Sequence, residues 1–304
     1  MFHGVMTALV TPFYRQQNGR LTIDEDRHLA HLERQIEAGV DALVVAGTTG
    51  EAATLTMAEH KHLIDISVRH VNGRVATIAG TGSNNTEESI ELTRAAKDAG
   101  ADAALIITPY YNKPTQAGLL AHYRCIHDAV HIPMILYNVP GRTQVDLLPA
   151  TVAELAEMSN VVGIKDATAN MGRLTQTMNA CRPDMEFYSG DDASVLPFMA
   201  IGGRGTISVV SNIAPKTMGR MIRSFNSGDL ADARQAHRAL QRLSDMMFCQ
   251  SNPIPVKAAC YLLGWMDNTL RLPLTAMEGE ALHDLATLMN QLELNDDLQV
   301  VVEV

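Results

Sequence analysis

Residues 161 to 168 read VVGIKDAT, which sets Lys165 directly after four largely apolar residues, Val161, Val162, Gly163 and Ile164. Such a run reads as a buried strand, where an ammonium ion loses its hydration. Two readings of the lysine follow. It is either a rim residue turned to solvent, or an amine kept uncharged so that it can attack a ketone and form a Schiff base. A free lysine titrates near ~10.4, so being largely neutral at pH ~7 asks for roughly 4 kcal/mol of differential solvation. Desolvation by apolar neighbours can supply that. Side-chain alternation puts Gly163 on the face of Lys165, leaving space beside the amine, and sends Asp166 to the other face.

Other polar groups recur at the ends of similar runs: Thr48 and Thr49 in GTTGE, Tyr110 and Tyr111 in PYYNKP, Tyr137 and Arg142 in YNVPGRT, and Asp191 and Asp192 in SGDD. A buried tyrosine usually packs its ring and hydrogen-bonds its hydroxyl. Beside an amine that forms a carbinolamine, the Tyr137 hydroxyl can instead shuttle protons. Thr49 and Tyr111 offer two hydroxyls to complete a relay to bulk water, although GTTGE also reads simply as a βα turn whose threonine caps a helix. Arg142 follows a rigid VPG turn, and its fork suits a substrate carboxylate. Asp191 and Asp192 stand where barrels often bind phosphate, and their charge favours carboxylate substrates over sugar phosphates. None of the eleven histidines falls at a run end. The close pairs, His28 with His31 and His60 with His62, lie in helix-like stretches, which argues against a His-ligated metal centre.

These groups need a scaffold that gathers strand ends. Eight β-rich runs alternate with amphipathic stretches: GVMTALV, DALVVAG, RVATIAG, DAALIIT, PMILYN, VVGIKD, EFYSG and GTISVV. The pattern predicts a closed (β/α)8 TIM barrel over residues 1–227, with chemistry at the carboxyl ends of its strands. A helical extension is expected over residues 228–304, as part of the same structural unit. Thr22 with Glu25 and Thr56 with Glu59 are expected to form capping boxes. The final LQVVVEV has strand propensity but no evident partner.

The 304 residues carry a formal net charge of −10, which disfavours nucleic acid and anionic membranes as partners. Four scattered cysteines without CxxC spacing are expected to be reduced thiols in a cytoplasmic protein. No apolar run approaches the roughly 20 residues that cross a bilayer.

GTTGEAATL, PYYNKPTQAG, YNVPGRT, GIKDAT, SGDDASVLPFMAIGGRGTISVVSN and NPIPVKAACYLLG together resemble the 4-hydroxy-tetrahydrodipicolinate (dihydrodipicolinate) synthases, within the superfamily that also contains N-acetylneuraminate lyase. The resemblance runs from about Gly4 to about Leu292. It implies Lys165 as the Schiff-base lysine, Tyr137 as proton donor and acceptor, Thr49 and Tyr111 as relay partners, and a pyruvate pocket of Thr48, Thr49, Gly190 and Ile207. Arg142 would hold L-aspartate 4-semialdehyde. Tyr111 is expected to reach a neighbouring subunit, within a homotetramer built as a dimer of dimers. No metal or organic cofactor is implied.

A regulatory lysine site would correspond to Ala53, His60, Asn84, Glu88 and Tyr110. Ala52 and Met57 depart from lysine-sensitive relatives, which often carry serine and histidine there, and His60 and Glu88 also read as exposed helix positions. The implied reaction is condensation of pyruvate with the semialdehyde in lysine and diaminopimelate biosynthesis. The alternatives are a related aldolase or dehydratase acting on N-acetylneuraminate or a 2-keto-3-deoxy sugar acid, and a barrel that has lost catalysis.

Overall fold

A computed structural model describes residues 2–292, 294 and 297–302. Short runs that are apolar on both faces can be satisfied only by a sheet covered on both sides. Eight do so here: β1 (Gly4–Ala8), β2 (Ala42–Val45), β3 (Ala76–Gly80), β4 (Ala103–Ile107), β5 (Met134–Asn138), β6 (Val161–Asp166), β7 (Glu186–Ser189) and β8 (Gly205–Ser208). Every pairing is parallel, and β1 meets both β2 and β8, so the sheet closes. This is a (β/α)8 TIM barrel. Its register decides the site, because Tyr137 of β5, Lys165 of β6 and Tyr188 of β7 lie side by side across three strands.

Helices follow the strands: α1 (Glu25–Glu37), α2 (Met57–Val71), α3 (Thr86–Ala99), α4 (Gln116–Ala129), α5 (Pro149–Ala156), α6 (Met171–Ala180), α7 (Val195–Ile201) and α8 (Pro215–Asn226). The Thr56–Glu59 capping box forms at the start of α2. The one expected at Thr22 does not. A hairpin of Phe13–Arg15 and Leu21–Ile23 draws Thr22 into pairing with Tyr14, and Asp24 caps α1 instead by accepting from the Arg27 N–H. Inside the barrel, Met6, Val44, Ile78, Leu105, Ile135, Tyr188 and Ile207 form one apolar cluster, while larger clusters fill the space between strands and helices.

Three further helices, α9 (Leu230–Met246), α10 (Ile254–Leu262) and α11 (Gly279–Gln291), pack on this frame. Two seams tie them down. At the first, the fully buried Lys257 donates to Glu51 Oε1 at 2.6 Å and to the Thr11 carbonyl at 2.9 Å, while the Arg271 backbone N–H donates to Glu51 Oε2. Arg271 also grips Glu59 through both terminal nitrogens. At the second, the Trp265 ring packs near His31 of α1 with the two planes tilted 43° apart, and the Arg34 guanidinium sits 5.2 Å from its ring centre.

The terminal apolar run forms no strand among its described residues, and Glu303 and Val304 lie outside them. Instead the N–H groups of Val301 and Val302 both donate to the Leu262 carbonyl, satisfying a group that the end of α10 leaves free. Asp297 likewise accepts from the Lys216 and Thr217 N–H groups at the start of α8. Among the described residues, no helix is long and apolar enough to cross a membrane.

Candidate active site

The strand ends open onto a cavity of about 350 Å³ whose walls include Thr48, Thr49, Tyr137, Arg142 and Lys165. Lys165 is only 5% exposed, and its Nζ lies 4.2 Å from the centre of the Tyr137 ring. Burial lowers the Lys165 pKa to about 8; the Asp192 carboxylate opposes that fall and the Arg142 guanidinium adds to it. The amine therefore has the reach and the partial neutrality that nucleophilic attack requires. Burial also pushes the Tyr137 hydroxyl up to about 12, against the opposing effects of Arg142 and a hydrogen bond with Thr48. Tyr137 thus holds its proton at neutral pH and enters as an acid.

Two expectations about the neighbours of these groups change. Thr49 was expected beside Tyr137, but the threonine that hydrogen-bonds Tyr137 is Thr48. Thr49 turns instead to Asn252, whose Nδ2 donates to its hydroxyl at 3.0 Å. Gly163, expected to leave room beside the amine, does not: a Cβ there would lie 2.8 Å from both the Tyr188 ring and the Glu186 carbonyl, so the space is already filled. The glycine that makes room is Gly190, where a Cβ would stand 2.9 Å from Lys165 Cε and 3.1 Å from its Cγ. Alternation along one strand located Gly163, whereas the neighbouring strand end supplies the glycine that matters.

Arg142 lies within the single helical turn Pro140–Thr143, is exposed at the mouth, and donates from Nη2 to the Asn252 carbonyl at 3.1 Å. Ile207 is buried in the same barrel-interior cluster as Tyr137. Tyr111 is 89% exposed at a φ of +73°, and the chain does not bring it to Lys165. Asp166 accepts from the Thr168 N–H and makes no ion pair with the lysine. Asp192 is buried, and one of its oxygens accepts from the Val209 and Val210 N–H groups after β8. Those are donors of the kind a phosphate would need, already taken by a carboxylate.

The same cavity runs outward past Ala52, Ala53, Met57, His60, Glu88 and Tyr110. His60, read as an exposed helix position, is buried and hydrogen-bonds the Gly80 carbonyl at 2.7 Å. Glu88 is exposed and accepts from the Ser83 hydroxyl. Asn84 stands apart from this wall, its carbonyl accepting from Asn112.

Sequence reasoning gave no role to Asn252 and saw Asp192 only as a repelling charge. The NPIPVK stretch that begins at Asn252 was the available signal for the first. Among the described residues, no three His, Cys, Asp or Glu side chains gather in a way that would hold a metal ion.

The family model described as dihydrodipicolinate synthetase matches residues 1–292. A 4-hydroxy-tetrahydrodipicolinate synthase of Geobacter sp. strain M21 is 48% identical over 294 residues, covering 97% of this chain and 100% of that one. The crystal structure of dihydrodipicolinate synthase from Aquifex aeolicus superposes with a TM-score of 0.93 at 41% identity, covering 98% of this chain and 100% of that one. The chloride-inhibited dihydrodipicolinate synthase from Acinetobacter baumannii complexed with pyruvate has a TM-score of 0.91 at 45% identity, covering 95% and 98%. With its barrel, its buried strand-end lysine and a match along almost its whole length, the chain belongs to the dihydrodipicolinate synthetase family.

Proposed function

We propose that this chain is a Schiff-base-forming lyase that condenses pyruvate with L-aspartate 4-semialdehyde to 4-hydroxy-tetrahydrodipicolinate, in the route to diaminopimelate and lysine. The observation that carries the reading is the Lys165 amine, buried at a barrel mouth with a pKa near 8 and packed on Tyr137. Near-full-length relatives that share the activity's name support it.

In this reading the neutral Lys165 amine attacks the ketone carbon of pyruvate, and the carbinolamine loses water to leave an imine. Loss of a methyl proton gives an enamine, whose carbon attacks the aldehyde. The product's own amine then displaces Lys165, closing the ring and returning the free lysine. Tyr137 gives and takes the protons of these steps, and Thr48, whose side chain acts on the Tyr137 hydroxyl, serves in place of Thr49 as the next hydroxyl of the relay. Thr49 and Gly190 line the keto-acid end, and Arg142 at the mouth binds the carboxylate of the semialdehyde.

Tyr111 completes the relay from a neighbouring subunit. What supports this is a ring presented outward on a left-handed backbone, one residue from the cavity-lining Tyr110. The smallest active unit is then a dimer, assembled in pairs as a homotetramer. The outer end of the cavity, around His60 and Glu88, is the candidate lysine site.

A coupled assay tests the reaction by comparing aspartate semialdehyde with N-acetylneuraminate and 2-keto-3-deoxygluconate. Preferred turnover of the semialdehyde is expected, and preference for either sugar acid overturns the reading. Borohydride should trap pyruvate on Lys165, and an adduct on any other lysine would remove it as the nucleophile.

A further inference from the structure

Asn252 stands where the two substrate-binding halves of the site meet. Its side-chain Nδ2 donates to the Thr49 hydroxyl at 3.0 Å, and its main-chain carbonyl accepts from Arg142 Nη2 at 3.1 Å. The residue is 5% exposed, and its Oδ1 has no hydrogen-bond partner. A buried amide that forgoes its acceptor bonds is a costly choice for packing alone. Its place is also fixed firmly, because Lys257, five residues on, is locked to Glu51 in the loop that carries the threonines.

The direction of the bond to Thr49 has a chemical consequence. An amide nitrogen only donates, so Thr49 must accept, and its single hydroxyl proton cannot point back at Asn252. Thr49 lines the cavity, and a carboxylate entering there only accepts. We propose that Asn252 is a positioning residue that sets the Thr49 hydroxyl as a donor to the keto-acid carboxylate, while its backbone carbonyl steadies Arg142 for the second substrate. A residue outside the eight strand ends thereby prepares the site for both substrates. The inference rests on the reaction proposed above.

Asn252→Asp separates this role from packing, because it keeps the shape but replaces the donor with a charged acceptor. The Thr49 proton would turn toward it. The KM for pyruvate should rise by about tenfold or more, the size of a lost bond to a charged group. The KM for the semialdehyde should change far less, since the bond to Arg142 comes from the main chain. Asn252→Ala, which removes the donor without reversing the bond, should raise the pyruvate KM by a smaller factor, and that penalty should vanish in a Thr49→Val background.

An unchanged pyruvate KM in Asn252→Asp overturns the inference, since the amide would then present its oxygen to Thr49. Equal rises in both KM values, or additive effects of Asn252→Ala and Thr49→Val, overturn it in favour of packing. Failure of the wild-type chain to trap pyruvate would instead sink the reaction itself, whatever Asn252 does.

Discussion

At the scale of the residue, the Lys165 amine combines reactivity with a cost to folding. A fall from 10.5 to about 8 leaves about one amine in ten neutral at pH ~7, roughly three-hundredfold more than an ordinary lysine offers. The rate of pyruvate imine formation should therefore climb as pH rises toward about 8 and level off above it, which stopped-flow measurement can check. The same shift works against stability. The unfolded chain holds this proton up to about 10.5 and the folded chain only to about 8. The penalty, roughly 3 kcal/mol, is thus full below about 8 and fades as pH climbs to the unfolded value. Lys165→Met should be inactive yet more stable at neutral pH by up to ~3 kcal/mol, read from denaturant unfolding; a less stable variant would contradict the burial cost. The lysine was legible because a charge after four apolar residues is anomalous in one dimension. Asn252 was not, since its meaning lies in contacts with Thr49 and Arg142 about two hundred and one hundred positions away.

Between residue and molecule lie the elements that hold these groups in place. The turn after β7 runs so close to β6 that Gly190 touches the lysine stem, and an added methyl must push the amine aside. Gly190→Ala should lower kcat by about a hundredfold, as misplacement by about an ångström does, with little change in melting temperature; normal turnover would show that the lysine has room to spare. The loop after β2 depends on a different anchor, the buried pair of Glu51 with Lys257 on α10. Glu51→Ala strands a buried ammonium and should cost about 3–5 kcal/mol, measurable by urea unfolding. Strands and helices were readable because their apolar periodicities are local. The hairpin at Phe13–Arg15 was not, since three-residue strands carry too little pattern, and its pairing is what moved the α1 cap from Thr22 to Asp24.

At the scale of the whole molecule, the Tyr111 ring turns outward and is 89% exposed. If that ring completes a neighbour's relay, assembly and turnover are coupled. Tyr111→Ala should both shift sedimentation toward smaller species and reduce kcat by at least about tenfold, in the range of acid–base contributions. Full activity in a monomeric variant would break the link. The closed barrel was readable from the number and order of its apolar runs. No run of residues announced how the terminal segment behaves. Its valines read as a strand, but a closed barrel has no free edge to offer them, and Val301 and Val302 cap a helix instead.

The seam at Trp265 has a practical outcome. The chain contains a single tryptophan, and it lies between α1 and the appended helices, against His31 and under Arg34. Its fluorescence therefore reports on that joint alone, while circular dichroism follows the helices at large. If emission reddens before ellipticity falls during heating, the appended helices peel away first, and Asn252 leaves the mouth with them.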